Sequence, residues 1–229
     1  TRTRLPTIAL LCALGAGPAA AVEPDWTAYG EVLAAHVAPA HREGVKLNAV
    51  DYAALKADAR FAAAVANVES WPLEKLGSDA ERIAFLINAY NIFALKLVVD
   101  HWPLDSIRDI GSLLKPVWKR PAGKLDGEPV TLDQIEHQRL RKMGEPRIHL
   151  AIVCASISCP DLRLEPYTAA TLDAQLDDQA TQFLANPGKG LRQEGDTTHV
   201  SKIFDWFEDD FDEQGGVAAG LDRQHQVTR

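Results

Sequence analysis

The chain has 229 residues, with 24 Lys+Arg against 32 Asp+Glu and a net charge of −8. An acidic balance with no basic patch argues against nucleic acid and anionic membrane surfaces as partners. Three cysteines are too few for a disulfide scaffold, so the fold must rest on an apolar core.

Residues 1–21 read as a secretory leader. Arg2 and Arg4 form a basic start, Ile8 to Ala16 an apolar stretch, and Pro18-Ala19-Ala20-Ala21 a small-residue cleavage pattern. The apolar stretch is too short for a membrane span, which needs about 20 residues. Leu11 stands before Cys12 where a lipoprotein signal wants a small residue, so export to the periplasm or medium is expected rather than lipid anchoring. Cleavage removes two arginines and takes the net charge from −8 to −10. About 208 residues then remain, enough for one domain over 22–211 followed by a polar tail over 212–229.

Helical spacing runs from Asp25 to Ala38 and again from Asp51 to Val65. Ser78 with Glu81 three residues on forms a capping-box pattern for a helix to Asp100, apolar nearly all round and therefore central and buried. Val117 to Val130 reads as a β-hairpin turning at Asp126-Gly127. Thr131 can cap a short helix from Leu132 to about Lys142. Ile148 to Val153 is a continuous apolar run, expected as a strand buried on both faces. An amphipathic helix follows from Thr168 to Ala185, then a hairpin near Leu191–Val200 and an aromatic segment, Ile203 to Phe211. Helices first and strands later predict an α+β fold, a helical N-terminal half packed on a small antiparallel sheet.

The chemistry-bearing residues concentrate in Arg147–Pro160, which holds His149, Cys154 and Cys159. A thiolate nucleophile needs a base and a group to orient that base. The candidates are Cys154 or Cys159, His149 or His137, and Glu136, with backbone N–H groups of Ala155–Ser158 as an oxyanion hole. Along a regular strand, Cys154 would lie ~17 Å from His149 on the opposite face, which opposes pairing the two. A Cys154–Cys159 disulfide is the alternative that an oxidising compartment favours. Zinc on His149, Cys154 and Cys159 lacks a fourth ligand and the usual spacing, so no metal and no cofactor is expected. Asn88 and Asn91 share one face of the central helix, where they either pin backbone or line a substrate pocket.

Four blocks together resemble the domain-of-unknown-function family DUF547: Phe85-Leu-Ile-Asn-Ala-Tyr-Asn91; Leu132-Asp-Gln-Ile-Glu-His137 with Leu140-Arg141; Arg147-Ile-His-Leu-Ala-Ile-Val-Cys154 leading to Ser158-Cys-Pro160; and Ser201-Lys-Ile-Phe-Asp-Trp206. The resemblance spans Asp25 to Phe211. It implies a distant likeness to papain and transglutaminase-like thiol enzymes with a circularly permuted core, in the chain order acid, histidine, cysteine that Glu136, His149 and Cys154 match. It further implies Cys154 as nucleophile, because related members can carry serine in place of Cys159. Asn88, Asn91 and Ser158 are the expected substrate-binding residues. Two functions follow as expectations. One is an exported cysteine-dependent hydrolase or acyl-transfer enzyme acting on an amide, peptide or thioester. The other is a non-catalytic module binding a small peptide or thiol-containing ligand, with the cysteines bridged.

Overall fold

The computed structural model describes residues 22–112 and 115–213. The leader expected over 1–21 lies outside them, as does the tail beyond 213.

Helix α1 (Thr27–His36) buries Tyr29, Val32 and Leu33, the spacing of a single helical stripe. It runs into an antiparallel hairpin, β1 (Val37–Arg42) with β2 (Val45–Val50), in register from Val37 opposite Val50 to Arg42 opposite Val45. Glu43 and Gly44 both take positive φ at its turn (50° and 78°), as a two-residue hairpin loop requires. The helix expected over Asp51–Val65 is divided into α2 (Tyr52–Ala57) and α3 (Ala59–Ser70). The cause is Asp58, whose carboxylate takes the Arg60 backbone N–H and the His36 ring, so the residue caps a new helix instead of continuing the old one.

Helix α4 (Asp79–His101) starts on the expected capping box: the Ser78 hydroxyl accepts from the Glu81 N–H and the Glu81 carboxylate accepts from the Ser78 N–H. It is long and apolar enough to cross a membrane, yet it is buried within the protein as a core helix is. Phe85, Ile87, Ile92 and Phe93 are wholly enclosed. The second hairpin, β3 (Pro121–Leu125) with β4 (Glu128–Thr131), turns at Asp126-Gly127 as expected, both with positive φ. Gly123 of β3 lies flat on the Phe93 ring, and a Cβ there would overlap the ring. Gly123→Ala is therefore expected to destabilise by about 1–3 kcal/mol through overpacking, read as a lowered thermal midpoint; an unchanged midpoint would mean α4 can give way.

Thr131 caps α5 (Leu132–Ile135), which continues through a π-helical turn (Glu136–Leu140) and a 3-10 turn (Arg141–Met143) before Gly144 ends it at φ 69°. The strand expected over Ile148–Val153 is not formed. Pro146–Leu150 is a 3-10 helix, started by Pro146 at its first position and by the Glu145 carboxylate accepting from the Arg147 N–H. The apolar run is nonetheless buried, since length and hydrophobicity alone do not separate a buried strand from a buried helical turn. The expected spacing of His149 and Cys154 on opposite strand faces falls with it. Helix α6 (Leu172–Leu184) packs against this turn, and the third hairpin, β5 (Leu191–Glu194) with β6 (Thr197–Val200), leads to α7 (Ile203–Trp206) and α8 (Glu208–Asp212).

The class is α+β, but the strands among the described residues form three separate two-stranded hairpins rather than one sheet. A large core surrounds α4, and a smaller one joins Leu150, Ala180, Phe183, Ile203, Phe204 and Phe211. The second core seats α7 and α8 against the turn that carries His149.

Candidate functional site

A cleft of about 910 Å³ opens where the π-helical turn, the loop after Val153 and the α7 segment meet. Glu136, His137, Cys154, Ser158 and Cys159 all line it, so five of the eight residues singled out by sequence share one cavity. Tyr90, Trp118, Trp206 and Phe207 supply aromatic surface, and Asp105, Asp133, Arg108 and Lys202 supply charge of both signs.

Cys154 and Cys159 are joined as a disulfide, with Cα atoms 6.1 Å apart. The loop between them begins at Ala155 in left-handed backbone (φ 52°) and turns through a hydrogen bond from the Cys159 N–H to the Ser156 carbonyl. Both sulfurs belong to half-buried residues on the cleft wall. In this oxidised state neither is a thiolate.

Asn88 and Asn91 do not line the cleft. Each is 1 % exposed and bridges backbone across the core. Asn88 donates to the Tyr167 carbonyl and accepts from the Tyr167 N–H. Asn91 donates to the Ala151 carbonyl and accepts from the Val153 N–H. Their amides are thus engaged by the chain itself, and Asn91 fixes the three residues that lead into Cys154.

His149 stands behind the cleft wall, stacked on Phe207 with ring centroids 3.7 Å apart. Its Nε2 is 2.7 Å from Asp210 Oδ2, and its Nδ1 is 3.8 Å from Glu136 Oε1. Both ring nitrogens are therefore directed at carboxylates rather than at a sulfur. Asp210 also accepts from Arg141, Nε at 2.7 Å and Nη2 at 2.8 Å. Those hydrogen bonds from Arg141 hold the Asp210 carboxyl down at about 2. Burial pushes His149 down to about 4, so the ring is neutral at pH 7. Burial also raises Glu136 above the usual carboxylate range, against the opposing charges of His137 and Arg141. His137 itself is partly exposed, with Nε2 3.9 Å from Asp133 and Nδ1 3.3 Å from the Arg141 guanidinium.

Asp210 was not among the residues the sequence pointed to. Its neighbours Phe207 and Phe211 mark the segment as packing, and nothing local reveals a carboxylate that reaches back 61 residues to His149.

Fold and site together define an α+β domain with an amphipathic cleft, rimmed by a disulfide and backed by a carboxylate–imidazole–carboxylate array. Residues 73–184 match the family described as "Protein of unknown function, DUF547". The match takes in the blocks around Asn88, Glu136 and Cys154 and ends before Asp210. No curated protein and no solved structure matches the chain.

Proposed function

We propose that the cleft binds a small peptide or a thiol-containing ligand. The observation that carries this reading is the Cys154–Cys159 bond on the cleft wall: it removes the nucleophile and leaves a sulfur pair facing the cavity. Aromatic walls with charges of both signs suit the apolar and ionic parts of a short peptide. A half-buried disulfide also offers a partner for exchange with a ligand thiol. A bonded pair suits an oxidising compartment, so the leader over 1–21 and a periplasmic or secreted location belong to the same proposal.

Trp206, at 66 % exposure and on the cleft, is a built-in reporter. Titration with S-methylglutathione, a peptide that cannot exchange, is expected to change tryptophan fluorescence saturably, and Trp206→Phe to reduce the change. No saturation up to about 10 mM, a free energy of only about −3 kcal/mol, would remove the binding reading.

A second reading, an exported cysteine hydrolase with a permuted papain or transglutaminase-like core, draws on the imidazole held between Glu136 and Asp210 and on the two cysteines that share the cleft with Glu136. It requires reduction of the disulfide, after which Cys154 would attack an amide, peptide or thioester. Iodoacetamide mapping under mild reduction separates the two readings. A hydrolase site gives one cysteine alkylated far faster than the other in the folded protein, whereas equal, slow labelling speaks for the binding cleft alone.

A further inference from the structure

The hydrogen-bonding of His149 is determined from one end. Asp210 is fixed as a carboxylate by two hydrogen bonds from Arg141, and a carboxylate only accepts. The proton on His149 must therefore sit on Nε2, where it is donated to Asp210 over 2.7 Å. That leaves Nδ1 as a bare lone pair. The side chain is 1 % exposed, and Nδ1 has no hydrogen-bond partner.

The group that Nδ1 faces is Glu136 Oε1, 3.8 Å away. An ionised Glu136 would set one lone pair against another in a site shielded from water. A protonated Glu136 can turn its O–H to Nδ1 with a small approach. Its second oxygen, Oε2, is 3.5 Å from the Tyr90 hydroxyl, a donor. With the His149 ring neutral, as its enclosure favours, the chain from Asp210 through His149 and Glu136 to Tyr90 has donors and acceptors in alternation only when Glu136 holds a proton; the alternative, an ionised Glu136 facing an imidazolium, would put a full charge on a side chain that is 1 % exposed. Glu136 also lines the cleft, so the proton is within reach of whatever enters.

We propose that Glu136 is the proton-bearing group of the cleft, a carboxylic acid whose single O–H rests on His149 Nδ1 while the cleft is empty and turns to an acceptor atom, such as a peptide carbonyl, of a bound ligand. His149 and Asp210 are positioning residues: they hold the acid in its protonated form while the cleft is empty. The surrounding charges are Asp133, His137 and Arg141 on the same helix, Tyr90 on α4 and Asp210 on α8. Asp133 favours the proton, as burial does, and His137, Arg141 and the hydrogen bond from the Tyr90 hydroxyl oppose it. This deepens the binding reading, and its test in the free protein does not depend on that reading.

Carbon-detected NMR of the protein in its oxidised, ligand-free form is the experiment, with the Glu136 carboxyl assigned by its loss in Glu136→Gln. The expected midpoint lies above the roughly 4.3 of a free glutamate, and nitrogen shifts at pH 7 are expected to show His149 protonated on Nε2 alone. His149→Phe keeps the burial and removes only the acceptor, so the Glu136 midpoint is expected to fall while staying above the free value. A midpoint at or below that of free glutamate, or a proton on Nδ1 of His149 at pH 7, would overturn the proposal. The wild-type spectra decide the matter if His149→Phe does not fold. If S-methylglutathione fails to bind while the titration behaves as expected, the acid survives and only the ligand is wrong.

Discussion

Asn91→Ala is expected to cost about 3–5 kcal/mol, among the largest single losses in the molecule. The Asn91 amide gives one hydrogen bond to the Ala151 carbonyl and takes another from the Val153 N–H, each 3.0 Å long in a fully enclosed site. Alanine leaves both backbone groups buried and unpaired, at about 1–3 kcal/mol each, and adds a small cavity. Against a typical domain stability of about 5–15 kcal/mol, this is a large fraction. Urea unfolding measures it, and a loss under about 1 kcal/mol would mean the backbone finds other partners. Asn88→Ala leaves an equivalent pair at Tyr167 and is expected to cost about the same. The two should differ at the cleft. Ala151–Val153 runs directly into Cys154, so Asn91→Ala is expected to disturb the disulfide loop and weaken the Trp206 response where the protein is still folded. Asn88→Ala should leave that response intact.

Asn91 also explains why one part of the fold is legible in the sequence and another is not. The capping box at Ser78 and the Asp126-Gly127 turn are local devices, complete within four residues, and both formed as read. The segment Ile148–Val153 departs from the expected strand because its hydrophobicity is compatible with any buried conformation. What decides its shape is Pro146 at the start and the Asn91 amide, 60 and 62 residues away, which takes the backbone groups a neighbouring strand would have paired. The β1–β2 hairpin is not legible in the sequence for another reason. Pro39 and His41 interrupt the alternation, and Glu43-Gly44 is a weaker turn signal than Asn-Gly. At the site, Glu136, His137, Cys154, Ser158 and Cys159 line one cleft, though Glu136 and His137 lie well before the Arg147–Pro160 segment in sequence. The pairing of His149 with Asp210 is a tertiary contact made by the second core, and no spacing rule reaches it.

Acid is expected to weaken the fold well above the range where carboxylates ordinarily titrate, because of His149. Its ordinary value is 6.5 and burial lowers it to about 4 in the folded protein. Between those values the unfolded chain binds a proton that the folded protein refuses, so stability is present above 6.5 and is lost as pH falls towards 4. At about 1.4 kcal/mol per pH unit, the loss approaches about 3 kcal/mol and then levels off. Glu136 acts with the opposite sign: raised above 4.5, it binds its proton more readily when folded and returns part of the loss as pH falls through its own midpoint. Asp210, lowered from 3.8 to about 2, adds a further loss only below 3.8. The window from 6.5 to 4.5 therefore holds the His149 loss and the opposing contributions of Glu136 and of Glu23, which burial also raises above 4.5. In His149→Phe the first contribution is gone, and stability measured by urea unfolding should be level or rise slightly as pH falls from 6.5 to 4.5, where the wild type declines. Parallel curves for the two proteins would show that His149 is as free to take a proton in the fold as out of it, and that the imidazole is not the desolvated, Asp210-bound ring the structure describes.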